Sequence, residues 1–247
     1  MLPDFSFWQF ALTALIFIWA GFVRSGLGFG GAALGLPFML LVYDQPIYWI
    51  PIIGSHLLFF SALTLRTRLS NVDWAYLKRS GALILPAAVA GVFGLIKLPN
   101  EWLLIFIYGI TMVYAVLWAL DKAIHSQSIW VDRALLLVGG YVSGTSLTGA
   151  PLMIAVFMRN VSIGQLRNTL FVLWFIIVTI KLVTLAAFAV PLNTVMAAVL
   201  IPVASIGHVA GLKLHDYIMA RDSVFRRMIG GFLILVCLIG LGRLLIN

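Results

Sequence analysis

The sequence predicts an all-α polytopic membrane protein made of two inverted-topology repeats of about five apolar segments each. Three observations predict it. The 247 residues are 63% hydrophobic and only 10% charged, whereas a soluble domain carries roughly a quarter charged residues. Long stretches, among them residues 5–23, 102–120 and 182–212, contain no Asp, Glu, Lys or Arg, and about 20 such residues cross a bilayer as a helix. A Gly/Ser-rich loop occurs twice, over 21–32 and 139–150, and the copies align without gaps 118 residues apart. Lipid cannot solvate freed backbone groups, so such loops survive at membrane depth only where they are buried in protein or line a polar cavity. Paired interruptions in two halves point to the substrate site of a transporter.

Five apolar segments fall in each half, at 7–22, 30–43, 46–66, 79–96 and 100–120, then 133–143, 149–159, 165–189, 193–213 and 224–245. Segments one and two of each half are short, and the Gly/Ser loop joins them. They form either a broken helix pair or a re-entrant hairpin, and both return the chain to the same side. The first repeat covers 1–121, a cytoplasmic linker 122–132 and the second repeat 133–247, within one integrated membrane domain. Five is odd, so the halves run in opposite directions. A second match agrees: Pro86, Gly91 and Lys97-Leu98 reappear 116 residues on as Pro202, Gly207 and Lys213-Leu214. Small residues at Gly91, Gly94, Gly207 and Gly211 predict close helix crossings.

The net charge of +8 does not imply a nucleic-acid partner. Arg66, Arg68, Lys78 and Arg79, then Lys122, Arg133, Arg159 and Arg167, then Lys213, Arg221, Arg226 and Arg227 cluster in three groups of loops. The positive-inside rule explains them and puts both termini outside. Met1-Leu2-Pro3-Asp4 has no basic n-region, so no cleaved signal peptide is expected. A single cysteine, Cys237, precludes an intrachain disulfide. No Walker A sequence and no metal-ligand spacing is present, and the glycines at 26–31 follow no strand. No cofactor or metal is expected.

The candidate chemistry gathers at the loops. An interrupted helix presents free N–H groups and a positive dipole end, which suit anions. Hydroxyls at Ser25, Ser143, Thr145, Ser146 and Thr148 add donors. Arg24 within the first tip and Lys181 are the only basic residues deep inside apolar segments, and intramembrane charge usually faces a pathway. Snorkelling to the interface is the competing reading for Lys181. All eight carboxylates fall in loops or at segment ends. Fixed positive charge without fixed negative charge favours an anionic substrate. His56 and His208 are the titratable candidates for proton coupling. His125 and His215 are read as loop residues without a role.

Gly21-x-x-x-Ser25-Gly26-x-Gly28-x-Gly30-Gly31, its degenerate copy over 139–150, and Asn71-Val72-Asp73-Trp74 on a basic loop resemble the TauE/SafE family of sulfite exporter-like transporters. The resemblance covers about residues 7 to 245. It implies a bacterial inner-membrane carrier of small anions: sulfite, sulfoacetate, related sulfonates or thiosulfate. Carried over by position, the motif falls on Ser25, Gly26, Gly28, Gly30 and Gly31, and on Ser143, Gly144 and Gly149. Arg24 stands where an apolar residue is expected, and Ser146 and Thr148 replace glycines; both departures enrich the tips in donors. The expected function is secondary transport of small anions, as an exporter working by alternating access, in a monomer or homodimer embedded in lipid. Two alternatives compete. An intramembrane serine hydrolase would pair Ser143 with His208 or Ser25 with His56, but Tyr141 stands where a Gly-x-Ser-Gly motif needs glycine. A non-transporting scaffold would leave the tip serines without a role.

Overall fold

The computed structural model describes residues 5–26, 31–66, 69–122, 124, 128–220 and 222–246. The described residues form ten α-helices and no strand: α1 (Phe7–Gly26), α2 (Gly31–Val42), α3 (Pro46–Leu65), α4 (Trp74–Lys97), α5 (Asn100–Ala119), α6 (Ile129–Ser146), α7 (Ala150–Asn160), α8 (Ile163–Ala187), α9 (Thr194–Ala220) and α10 (Asp222–Ile246). Seven of them, α1, α3, α4, α5, α8, α9 and α10, are long and apolar enough to cross a membrane. The chain is a multi-pass helical membrane protein. By contrast, α2 and α7 have 12 and 11 residues. At 1.5 Å per residue they reach about 16–18 Å, roughly half of a hydrocarbon core.

Two expectations are corrected. The Gly/Ser stretches are helical for most of their length, since α1 runs through Gly26 and α6 through Ser146. In the second tip only 147–149 leave the helix. Glycine's low helix propensity loses here to the close packing it permits. The basic loop expected over 213–227 is likewise mostly helix: α9 continues to Ala220 and α10 begins at Asp222. His215 is therefore a helical residue; His125 lies outside the described residues.

The chain divides into two compact units, each drawing helices from both halves of the sequence. One holds α1, α2, α5, α9 and α10; the other holds most of α3 with α4, α6, α7 and α8.

In the first unit α1 lies along α9, α5 packs on α10, and α2 packs on α1, α5 and α10. Val23, Leu34, Ala115, Ile229 and Leu233 form a buried cluster beneath Trp19, Phe22 and Phe38. The α1–α9 seam is backbone against backbone. A Cβ on Gly207 would overlap the Ile18 carbonyl, one on Gly21 the Ala204 carbonyl, and one on Gly211 the Phe22 carbonyl.

The end of α5 is tied to the start of α10 through Asp121. Its carboxylate accepts from the Ser223 hydroxyl at 2.5 Å and from Arg226 at 2.9 Å, and Arg227 lies 3.5 Å away. The Ser223 hydrogen bond, followed by the two arginines, holds the Asp121 carboxyl below the usual carboxylate range. A depressed folded-state pKa stabilises above the ordinary carboxylate value, and the stabilisation is lost as pH falls through the folded value. Asp121→Asn is accordingly expected to lower the unfolding temperature at neutral pH and to flatten its decline below about pH 4. Thermal unfolding of the detergent-solubilised protein across that range checks this.

In the second unit α4 lies along α6, α6 packs on α7, and α8 packs on α4 and α7. Its core joins Ile84, Leu136, Met153, Val156, Phe157, Leu173 and Ile177. The α4–α6 seam repeats the glycine device: a Cβ on Gly91 would overlap the Tyr141 carbonyl, and one on Gly144 the Ala88 carbonyl. The close crossings expected at Gly91 and Gly207 are present, each against the first helix of a Gly/Ser pair.

The Asn71–Trp74 motif builds the start of α4. Asp73 caps the helix by accepting from the Tyr76 amide at 2.9 Å, a typical N-cap contact. Asn71 donates to the Gly164 carbonyl at 2.8 Å, Asn168 donates to the Asn71 carbonyl at 3.2 Å, and the Asp73 amide donates to Thr169 at 3.0 Å. The motif thus clamps α4 to the first turns of α8.

Candidate functional site: the two helix tips

The second tip is the more fully described. Its α6 ends on Leu147, which takes a left-handed backbone with φ 63° and donates its amide to the Ser143 carbonyl at 3.1 Å. A β-carbon disfavours that conformation, so the surroundings hold Leu147 there. The chain reverses over Thr148 and enters α7 through Gly149, its N-cap residue. A Cβ on Gly149 would overlap the Gly139 carbonyl and the Ser143 hydroxyl. Glycine therefore lets the start of α7 press directly on α6 beside Ser143.

Hydroxyls around this turn divide by partner. Thr145 lies 3.1 Å from the Gly91 carbonyl and 3.0 Å from the Tyr141 carbonyl, tying the tip to α4. Ser146 donates to the Val142 carbonyl at 3.0 Å and lies 2.6 Å from the Thr148 hydroxyl. Ser143 differs. It is buried, yet its Oγ has no hydrogen-bond partner among the described residues. A buried hydroxyl left so is costly. It sits against the first turn of α7, whose leading amides lack intrahelical acceptors. Pro151 removes one of those donors and leaves the amides of Ala150 and Leu152.

At the opposite end of this hairpin, Asp132 and Arg159 form an ion pair at 3.2 Å. It links the first turn of α6 to the last turn of α7.

The first tip is built differently. Ser25 is buried on the last turn of α1, and its hydroxyl is hydrogen-bonded to Nδ1 of His208 on α9. Two turns further along α9, His215 Nδ1 donates to the Gly26 carbonyl at 2.7 Å. The two imidazoles are seven residues apart and so share a helix face. They hold the last two residues of α1. Arg24 is half-buried beside them. Its stem packs at the start of α2, where a Cβ on Gly31 would come within 2.9 Å of both the Arg24 Cβ and the Ala20 carbonyl. Gly28 and Gly30 lie outside the described residues.

Lys181 lies about two turns before the end of α8. It is 0% exposed, and its Nζ has no hydrogen-bond partner among the described residues. Complete enclosure excludes snorkelling along a lipid-facing surface. His56 is buried on α3, 6.4 Å from the Phe60 ring.

Of the residues expected at the site, the structure brings Ser25 together with His208, and Ser143 together with Gly149. Neither serine–histidine pair expected of a hydrolase is the one formed by the Ser25 hydroxyl. Sequence reasoning passed over His215; its seven-residue spacing from His208 was the available signal. A cleft of 260 Å³ lined by Leu41, Asp44, Tyr108 and Arg243 lies in the first unit at the far end of α2 from its tip.

The model of the family described as "Sulfite exporter TauE/SafE" matches residues 13–239. The chain belongs to this family. That span takes in both tips, both glycine seams and Lys181. No curated protein and no solved structure matches the chain. As a TauE/SafE member it is a transmembrane transporter, and membership disfavours the hydrolase and scaffold alternatives.

Proposed function

We propose that this TauE/SafE protein is a secondary carrier of small anions in a bacterial inner membrane. Organosulfur and sulfur oxyanions such as sulfite and sulfoacetate are the substrates, and alternating access between two inverted repeats exports them. The carrying observation is Lys181: a fully enclosed amine without a hydrogen-bond partner among the described residues, in a chain whose apolar segments hold no carboxylate except at their ends. An anion brought beside this amine would favour its protonated form and offset the cost of burying it. Each tip supplies directional donors of its own: the Ser143 hydroxyl beside the start of α7 in the second unit, and the Ser25 hydroxyl with the guanidinium of Arg24 in the first. A sulfonate or sulfite offers several acceptor oxygens to such donors.

Flux in proteoliposomes tests the reading, with sulfite, sulfoacetate, taurine, thiosulfate, sulfate and lactate offered separately. Saturable movement of at least one sulfur anion is expected. Arg24→Ala is expected to lower kcat/KM for it by roughly tenfold to a hundredfold, the worth of one charged hydrogen bond. No flux of any anion from folded protein would overturn the reading.

A further inference from the structure

The two tips are unequal in one chemical respect. In the second, Ser143 Oγ has no hydrogen-bond partner among the described residues. In the first, Ser25 is engaged by His208 and Gly26 by His215. The 116-residue offset that matches Pro86 to Pro202 carries His208 to Val92 and His215 to Pro99. The second tip has no imidazole at either matching position.

We propose that His208 links proton uptake to anion binding at the first tip by controlling whether Ser25 can donate. The inference rests on the anion-carrier reading above. In the neutral ring with its proton on Nε2, Nδ1 is an acceptor. Ser25 then donates its only O–H to His208 and offers an anion nothing but lone pairs. When the ring takes up a proton, Nδ1–H becomes the donor. Ser25 Oγ accepts that bond, and its own O–H is released to donate to the anion. One proton enters the ring, no bond other than hydrogen bonds is broken, and the site gains both a donor and a positive charge. His215 keeps the geometry during the exchange. Its Nδ1 donates to a carbonyl in either charge state, so the end of α1 stays in place while the Ser25 bond reverses direction.

The other groups nearby do not duplicate this. The helices packed on α9 within the unit are α1 and α10. Arg24 is the only charged residue of α1, and its charge is fixed across physiological pH. Those of α10 are Asp222, Arg226, Arg227 and Arg243, besides the Cys237 thiol. Arg226 and Arg227 are paired with Asp121, and Arg243 donates to the Leu41 carbonyl at the far end of α2. On α9 itself, Lys213, Asp216 and Tyr217 accompany the two histidines. Histidine is the side chain whose ordinary pKa lies within the physiological range.

Linkage makes the effect reciprocal: if protonation favours the anion, the anion favours protonation by the same factor. A proton therefore travels with each anion, and for a monoanion the loaded step carries no net charge. Net flux then follows the product of the anion and proton gradients, so export proceeds where the outward anion gradient exceeds any inward proton gradient.

The test is KM against pH in proteoliposomes, between about pH 6 and pH 8. Sulfoacetate and methanesulfonate are the probes, because neither changes charge in that range. For wild type, KM is expected to be about tenfold lower at the acid end with kcat little changed. An imposed pH gradient should drive accumulation. His208→Asn keeps a hydrogen-bonding group near Nδ1 without titrating, and should give a flat KM profile and no gradient-driven accumulation. Should that variant fail to fold, Ser25→Ala tests the same link and is expected to give a high KM with a much shallower pH dependence, since only the charge of His208 then remains to act on the anion. A purely structural His208 would leave the pH profile of either folded variant like that of wild type, and that result overturns the proposal. So does a flat wild-type profile in the presence of flux. Absence of flux for both probes and for sulfite and thiosulfate overturns the carrier reading and takes this inference with it.

Discussion

Gly207→Val and Gly144→Val are each expected to abolish the folded protein, whereas Gly109→Ala and Gly231→Ala are expected to stabilise it. All four glycines lie inside helices, so local propensity alone predicts the same sign for each. Replacing a helical glycine with alanine gains up to about 1 kcal/mol where nothing opposes it. The environments decide otherwise. A Cβ at Gly109 or Gly231 meets nothing within 4 Å. At Gly207 it overlaps the Ile18 carbonyl, and at Gly144 the Ala88 carbonyl. The obstacle in both cases is backbone on a neighbouring helix, which cannot rotate aside as a side chain would. Relief requires the crossing helices to separate, which opens the whole seam of α1 on α9 or of α4 on α6. Overpacking a core with added methylenes costs about 1–3 kcal/mol; forcing two backbones apart exceeds that. Fluorescence-detected size exclusion after a heat step separates the outcomes. The two valine variants should run as aggregate, and the two alanine variants should survive to higher temperature than wild type.

The same glycines show why the fold was largely legible and the tips only in part. Apolar runs located all ten helices, because lipid imposes a length that few other constraints blur. The matched glycines on the fourth segment of each half predicted close crossings, and Gly91 and Gly207 make them. Glycine in the Gly/Ser stretches, however, has two readings: it breaks a helix, or it lets one helix lie on another. Reading 21–26 and 139–146 as loop followed the first. Gly21, Gly140 and Gly144 follow the second, and their partners stand far away in sequence, on α9 and α4. Hydroxyl roles were equally hidden. Nothing local separates Ser143 from Ser146, yet Ser146 bonds back to the Val142 carbonyl while Ser143 faces Gly149. His215 was missed because a basic residue nearby, Lys213, suggested that the segment had ended. The long side chain of a lysine can reach past a helix end, so α9 continues beyond it.

Lys181→Met is expected to raise stability and to suppress anion transport, and the opposite signs of the two effects give the experiment its force. An enclosed lysine amine with no hydrogen-bond partner among the described residues is a desolvated polar group with nothing to offset its cost. Methionine has nearly the same length and flexibility without the polar head, and fills the same space. Replacing even a paired buried charge with well-packed apolar side chains of similar volume often stabilises proteins by roughly 1–4 kcal/mol, and an unpaired group has no partner to lose. A lysine held by an ion pair predicts the reverse, since its removal would then leave an unpaired buried partner. If the cation serves a transported anion, its loss should lower kcat/KM by about a hundredfold, which corresponds to about 2.7 kcal/mol of binding energy at the step where the anion is held in the membrane. Ligand linkage supplies an independent reading. A sulfur anion that binds the folded state raises the unfolding temperature in proportion to its occupancy. Saturating sulfite should therefore protect wild type from heat and leave Lys181→Met unprotected. A variant that is stabilised, inactive and unresponsive to anion would identify Lys181 as the residue whose desolvation the substrate relieves. One that is destabilised but still protected by anion would assign Lys181 to the architecture of α8.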